Sequence, residues 1–310
     1  MPRRTCRRSC STTRRRSRQG GSPTARRASA SPSRSGEAPL NRLPIGVFDS
    51  GIGGLTVVRE LLHQLPHESL IYFGDTARVP YGNKSPETVR RYAREILGFL
   101  VERGVKMVVV ACNTASAHAL DELKRISPVP VEGVIEPGAE AAALASRSGR
   151  IGVIGTAGTI ASGAYERAIH ARAGAAAVVA QACPLFVPLV EEGWLDHPAT
   201  RLVAQSYLAN LEAHSIDTLV LGCTHYPLLK PLLADVLGPS ITLIDSAEQT
   251  ARAVARQLAH STLHAPQTAA AHVHFVVSDA PETFKRVGKR FLGERVRAIE
   301  LVALGEPGER

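Results

Sequence analysis

Two cysteines close two similar stretches of this chain. Lys106 to His118 reads KMVVVACNTASAH and Leu219 to Tyr226 reads LVLGCTHY, so Cys112 and Cys223, 111 residues apart, each follow a short apolar run and precede hydrogen-bonding side chains. A free thiol begins near pKa ~8.5, and a neighbouring base or a helix N-terminus makes its thiolate usable near neutral pH. The thiolate is a soft base able to approach a Cα–H. Inverting a stereocentre requires removing a proton from one face and returning one to the other, so two thiols on two segments suit proton exchange at carbon.

Open α/β sheets deliver their functional groups at the carboxyl ends of the strands. Taken in order, those ends carry Asp49 and Ser50, then Asp75 with Tyr81 and Gly82, then Cys112, Asn113 and Thr114. Thr156 and Thr159, Glu191, and finally Cys223, Thr224 and His225 follow. Hydroxyls, amides and N–H groups at helix starts suit substrate carboxylates. Asp49 and His225 are placed to hold each thiol in the right protonation state.

The elements that must position these groups alternate as strand, turn and helix. Short apolar strands are predicted at 45–48, 70–73, 107–111, 151–154, 176–181, 218–221, 241–244, 272–277 and 296–304. Helices are predicted from Leu55 to a stop at Pro66, from an N-cap at Ser85 with Pro86 first, through Leu120 to Ile126, over 160–172 and over 199–214. Ser246 with Gln249 reads as a capping box opening a helix to about Leu258, and Phe284 to Leu292 is helical. A Pro-rich connection, 128–137, and the segment CPLFVPLVEEGW, 183–194, read as loops. IGVFDSG leads to Cys112 in 67 residues and IGVIGTAG leads to Cys223 in 72, a weak internal repeat. It predicts an α/β fold of two similar domains, each an open, mainly parallel sheet flanked by helices, with the active site in the cleft between them. The expected division is 44–139 plus 250–310 for the first domain and 140–249 for the second.

Simpler roles compete at each position. A cysteine after an apolar strand is commonly a small buried hydrophobe, the reading kept for Cys183. Glu192 reads as solvated, Asp75 as a turn former or a support, and His118 as helix surface or core. DSGIGG follows a strand and opens a helix, but it lacks the full dinucleotide fingerprint. Cys112, Cys183 and Cys223 are widely spaced, which suits reduced thiols, and no CxxC or CxxH pair supports zinc.

The formal charge of +9 is unevenly placed. Residues 1–43 hold twelve Arg, no Lys and the single acid Glu37, net +11, while the remainder carries 25 basic and 27 acidic side chains. That Arg- and Ser-rich segment has almost no large apolar residue and is expected to be disordered and incidental to the folded body, its alternative roles being contact with a polyanion or a membrane surface, or targeting. No apolar run approaches the ~20 residues of a membrane-spanning helix.

FDSGIGGL (48–55), YFGDTARVPYG (72–82), VVACNTASAH (109–118), CPLFVPLVEEG (183–193) and LGCTHYPLL (221–229) together resemble the glutamate racemases of the aspartate/glutamate racemase superfamily. The resemblance runs from about Pro44 to the end. It implies a cofactor-independent, metal-free isomerase with Cys112 and Cys223 as acid and base, assisted by Asp49, Glu191 and His225. By the same resemblance Asp49, Ser50, Tyr81, Gly82, Asn113, Thr114, Thr224 and His225 bind L- or D-glutamate. A cytoplasmic homodimer supplying D-glutamate for peptidoglycan is expected, with no membrane contact and no nucleic acid except through the basic N-terminal segment. The alternatives are an aspartate racemase of the same superfamily and a non-catalytic binding protein of the same fold.

Overall fold

The computed structural model describes residues 39–304. The expectation of disorder over 1–43 lies outside those residues except at 39–43. There Leu40–Arg42 form a 3-10 turn, and the Asn41 carbonyl accepts a hydrogen bond from Lys106 Nζ at 3.0 Å, so ordered chain begins before Pro44.

The chain opens with β1 (Ile45–Asp49), α1 (Leu55–Gln64), β2 (Leu70–Gly74), α2 (Pro86–Glu102), β3 (Met107–Val110), α3 (Asn113–Ile126), β4 (Val131–Gly133) and α4 (Ile135–Ala145). It continues through β5 (Arg150–Gly155), α5 (Ala157–Ala161), α6 (Ala164–Arg172), β6 (Ala177–Ala182), α7 (Phe186–Glu192), α8 (Pro198–Ala213), β7 (Thr218–Gly222), α9 (Lys230–Leu237) and β8 (Thr242–Asp245). α10 (Ser246–His260), β9 (Val273–Val277), α11 (Pro281–Leu292) and β10 (Ile299–Leu301) complete it.

The strands form a six-stranded sheet, order β10-β9-β2-β1-β3-β4, and a four-stranded sheet, order β6-β5-β7-β8. Every pairing is parallel. This is the two-sheet α/β architecture expected from the repeat. α4 leads the chain from the larger sheet to the smaller, α10 leads it back, and these two helices pack side by side. Each spans one of the expected domain junctions, 139/140 and 249/250.

Both faces of the larger sheet are covered, which is why its strands read as nearly continuous apolar runs. Along β1 the side chains alternate: Ile45 and Val47 join a core with Leu55, Val58 and Leu61 of α1, whereas Phe48 joins the core formed with Val89, Ala93 and Ile96 of α2. At the amino ends of the strands, far from the cysteines, Lys106 and Glu68 form a buried ion pair with side chains 1% and 3% exposed.

Four local expectations are corrected. The Pro-rich connection holds β4 and α4, and the 183–194 segment holds α7. In both segments a proline that suggested a loop, Pro137 or Pro188, sits in the first turn of its helix, where its missing N–H would have had no intrahelical partner. The helix expected over 160–172 is two helices, because Gly163 at φ +63° adopts a left-handed conformation between α5 and α6. The cap of α10 is Asp245, whose carboxylate accepts from the N–H groups of Ala247 and Glu248. Ser246 instead donates its hydroxyl to the Leu221 carbonyl at 3.0 Å.

Candidate active site

The first thiol stands where a strand becomes a helix. Cys112 has extended backbone angles and is the N-cap of α3, with its sulfur accepting from the Ala115 N–H at 3.4 Å. Its S–H donates to Ser50 Oγ, 3.6 Å away on the loop after β1. Burial pushes the Cys112 thiol up to about 12 and the adjacent Asp49 carboxylate adds to the shift, while the Ala115 and Ser50 contacts work against it. In this arrangement Cys112 is a neutral thiol, able to give a proton.

Asp49, the last residue of β1, is buried. Its Oδ2 accepts from the Gly51 N–H at 3.0 Å, and among the described residues its Oδ1 has no partner. Burial raises its pKa, against the opposing pull of the His225 charge and the Gly54, Gly51 and Ser50 N–H groups.

The second thiol has different support. No long helix starts beside Cys223; a 3-10 turn, Tyr226–Leu229, follows instead. The Cys223 sulfur lies 3.9 Å from His225 Nδ1, and His225 Nε2 lies 2.9 Å from Glu191 Oε1 on α7. Burial pulls the imidazole pKa down, but the hydrogen bonds to Cys223 and Glu191 outweigh it and hold His225 at about 10. The chain thus pairs one thiol held as S–H beside a carboxylate with a second thiol that sits beside a protonated imidazole. The His225 ring also meets Phe291 of α11 edge-on, with centroids 5.7 Å apart.

The strand-end loops of the two sheets interlock. A Cβ on Gly53 would lie 2.3 Å from Thr224 Oγ1, and Thr56 Oγ1 donates to the Thr224 carbonyl at 2.9 Å. Thr114 Oγ1 stands 2.9 Å from Thr156 Oγ1 and 3.1 Å from Thr159 Oγ1. Gly82 faces Thr156, and a Cβ on Gly158 would lie 2.9 Å from the Gly82 carbonyl. Cys112 and Cys223 are each only 5% exposed, so these contacts leave little open path to either sulfur.

The structure thus gathers Asp49, Ser50, Cys112, Asn113 and Thr114 from the larger sheet, and Glu191, Cys223, Thr224 and His225 from the smaller, into one contact region. Tyr81 is buried there with its hydroxyl hydrogen-bonded to Asp75 Oδ2 rather than free. Asp75, a residue that the sequence left between turn former and support, also accepts from Arg78 Nε at 2.8 Å and Ser278 Oγ at 2.8 Å. It braces the loop that carries Tyr81 and Gly82.

Two candidates stay apart from the thiols: His118 Nε2 lies 3.2 Å from the Gly158 carbonyl, and Glu192 is exposed. Cys183 is buried, its carbonyl accepts from the Tyr226 hydroxyl, and burial together with the nearby Cys223 pushes its thiol up to about 12. Three contributors were not readable as such: Ser278, Phe291 and Tyr165, whose hydroxyl donates to Asn113 Oδ1 at 2.7 Å. Each is distant in sequence from what it touches, and its type alone reads as ordinary helix or loop. Among the described residues no group of three or more His, Cys, Asp and Glu side chains is arranged to hold a metal ion.

Known proteins share this pattern. The Asp/Glu/Hydantoin racemase family matches residues 45–254. A protein of Geobacter metallireducens named glutamate racemase is 56% identical over 260 residues, covering 84% of this chain and 96% of its own. The crystal structure of glutamate racemase from Thermus thermophilus in complex with β-chloro-D-alanine is 50% identical, with a TM-score of 0.79 over 86% of this chain and 99% of that one. The Francisella tularensis glutamate racemase, solved in complex with D-glutamate, is 40% identical with a TM-score of 0.80 over 86% of this chain and 99% of that one. With the two cysteine motifs, the two parallel sheets and these likenesses in agreement, the chain belongs to the Asp/Glu/Hydantoin racemase family.

Proposed function

We propose that the chain is an isomerase that interconverts L- and D-glutamate by two-base proton transfer at Cα, without a cofactor. The observation that carries this reading is the pair of buried thiols at corresponding strand ends, one stabilised as a thiol and the other paired with an imidazole. In the direction L to D, the Cys223 thiolate takes the α-proton, and the electron pair left on carbon is delocalised into the α-carboxylate. Cys112 then returns its own proton to the opposite face and becomes the thiolate. The reverse reaction starts from the opposite protonation states. His225, held by Glu191, assists Cys223, and Asp49 assists Cys112. Ser50, Asn113, Thr114, Thr224, Tyr81 and Gly82 surround the substrate.

The names of the relatives support glutamate as the substrate. Residues 44–139 with 250–310 form the domain bearing Cys112 and residues 140–249 the domain bearing Cys223, with α4 and α10 as their common hinge. The enzyme acts as a cytoplasmic homodimer and supplies D-glutamate for peptidoglycan. In support of a body that stays out of the bilayer, no helix among the described residues is long and apolar enough to cross a membrane.

The test is solvent exchange. Purified protein in D2O with L- or D-glutamate is expected to drive optical rotation to zero and to place one deuterium at Cα, with L-aspartate inert. Cys112→Ala and Cys223→Ala are each expected to abolish racemisation. Absence of exchange into either glutamate enantiomer by a folded wild type would overturn the assignment.

A further inference from the structure

Tyr165, on α6, is 3% exposed, and its ring fills a slot between two glycines. A Cβ on Gly138 of α4 would lie 3.3 Å from Tyr165 Cε1, and one on Gly222 at the end of β7 would lie 3.0 Å from Cε2. The slot aims the ring at the first residue of α3, where the hydroxyl donates to Asn113 Oδ1 at 2.7 Å. Burial raises the phenol pKa against the opposing pull of a side-chain hydrogen bond with Ser246, so the hydroxyl keeps the proton that it donates.

The other end of that amide is uncommitted. Asn113 is 3% exposed, yet among the described residues its Nδ2 has no hydrogen-bond partner. A buried amide N–H group without an acceptor carries a desolvation penalty, so such a group implies an acceptor that arrives with a ligand. The NH2 end only donates and cannot receive a hydrogen bond from an ammonium.

We propose that Tyr165 is a positioning residue: by occupying Oδ1 it fixes the Asn113 amide with its NH2 turned into the site, where it binds a carboxylate oxygen of the substrate. Without the hydroxyl the amide is free to rotate, and the flipped form presents Oδ1 to a negatively charged oxygen. The same ring packs against Gly222, the residue before Cys223, so it ties the carboxylate corner to the strand that carries one thiol. This inference rests on the reading of the site as one that takes glutamate.

Tyr165→Phe keeps the ring in its slot and removes only the O–H. The expected result is a KM for both enantiomers about five- to tenfold higher, from loss of one buried hydrogen bond, with kcat changed much less and the thermal unfolding curve retained. In an Asn113→Ala background the same substitution is expected to add nothing, because the amide that it orients is gone. Calorimetric glutamate binding supplies the same comparison for any variant too slow to assay. A wild-type KM in Tyr165→Phe, or an equal loss with and without Asn113, would overturn the proposal by leaving Tyr165 a packing residue only. The wild-type control separates the two readings: a wild type inert toward glutamate sinks the proposed function, whereas an active wild type with an uncoupled Tyr165 sinks this inference alone.

Discussion

Gly53 has no room for a side chain beside His225. A Cβ built on it would lie 2.4 Å from the imidazole Nδ1, although the two residues come from the loops of different sheets. The glycine therefore lets the backbone after β1 touch the ring that supports Cys223, and it brings the surroundings of the two thiols together.

Gly53→Ala tests that contact. The added methyl must push His225 or Thr224 away. Racemisation is expected to fall by about a hundredfold or more, since a displacement near 1 Å in a catalytic constellation costs that much. Stability is expected to drop by only about 1–3 kcal/mol, as for other overpacking substitutions. Steady-state kinetics beside urea denaturation checks this; a variant with wild-type turnover would show that the two loops are not in register during catalysis.

Glu191→Gln removes the anion from His225 Nε2. Turnover is expected to fall by about a hundredfold, the low end of what a positioned acid–base group contributes. Because the enantiomers are equal in free energy, kcat/KM must fall by the same factor in both directions. The imidazole, raised from 6.5 to about 10, contributes stability that is present in full below pH 6.5 and is lost as pH rises through about 10. The gap in denaturation midpoint between wild type and Glu191→Gln should therefore be widest near pH 6 and narrow towards pH 10, which a pH series of melts would measure.

Cys112 should be a poor nucleophile in the substrate-free protein. With its thiol held near 12 by burial and by Asp49, its alkylation by iodoacetamide is expected to rise about tenfold per pH unit from 8 to 11 without a plateau. Asp49→Asn removes the anion and should speed Cys112 alkylation at a given pH while slowing racemisation. Peptide mass spectrometry reports the first quantity, and a plateau below pH 9 would contradict the geometry.

Lys106→Met should separate stability from chemistry. It leaves the Glu68 carboxylate buried without its cation, a change that costs about 3–5 kcal/mol. Lys106 precedes β3 and Cys112 follows it, roughly 20 Å apart at strand rise. The kcat of the folded fraction is therefore expected to stay at the wild-type value, as denaturation curves and active-site-normalised assays would show.

Much of the site is legible in residue order alone. Short β-branched runs ending in polar residues specify buried parallel strands, and parallel strands of an open sheet present their ends on one side, so Asp49, Cys112, Asn113, Thr114, Cys223, Thr224 and His225 could be named in advance. The helix α7 near the site was hidden because proline in a first helical turn looks like proline in a loop. The difference between the twin cysteines, by contrast, arises from packing. Cys112 caps a helix beside a carboxylate, whereas Cys223 leans on an imidazole that is held by Glu191 from 34 residues away in sequence. Proton affinity depends on burial and on charges within a few ångströms, and those neighbours are chosen by the packing of one sheet's loops against the other's, which the spacing of residues along a chain does not encode.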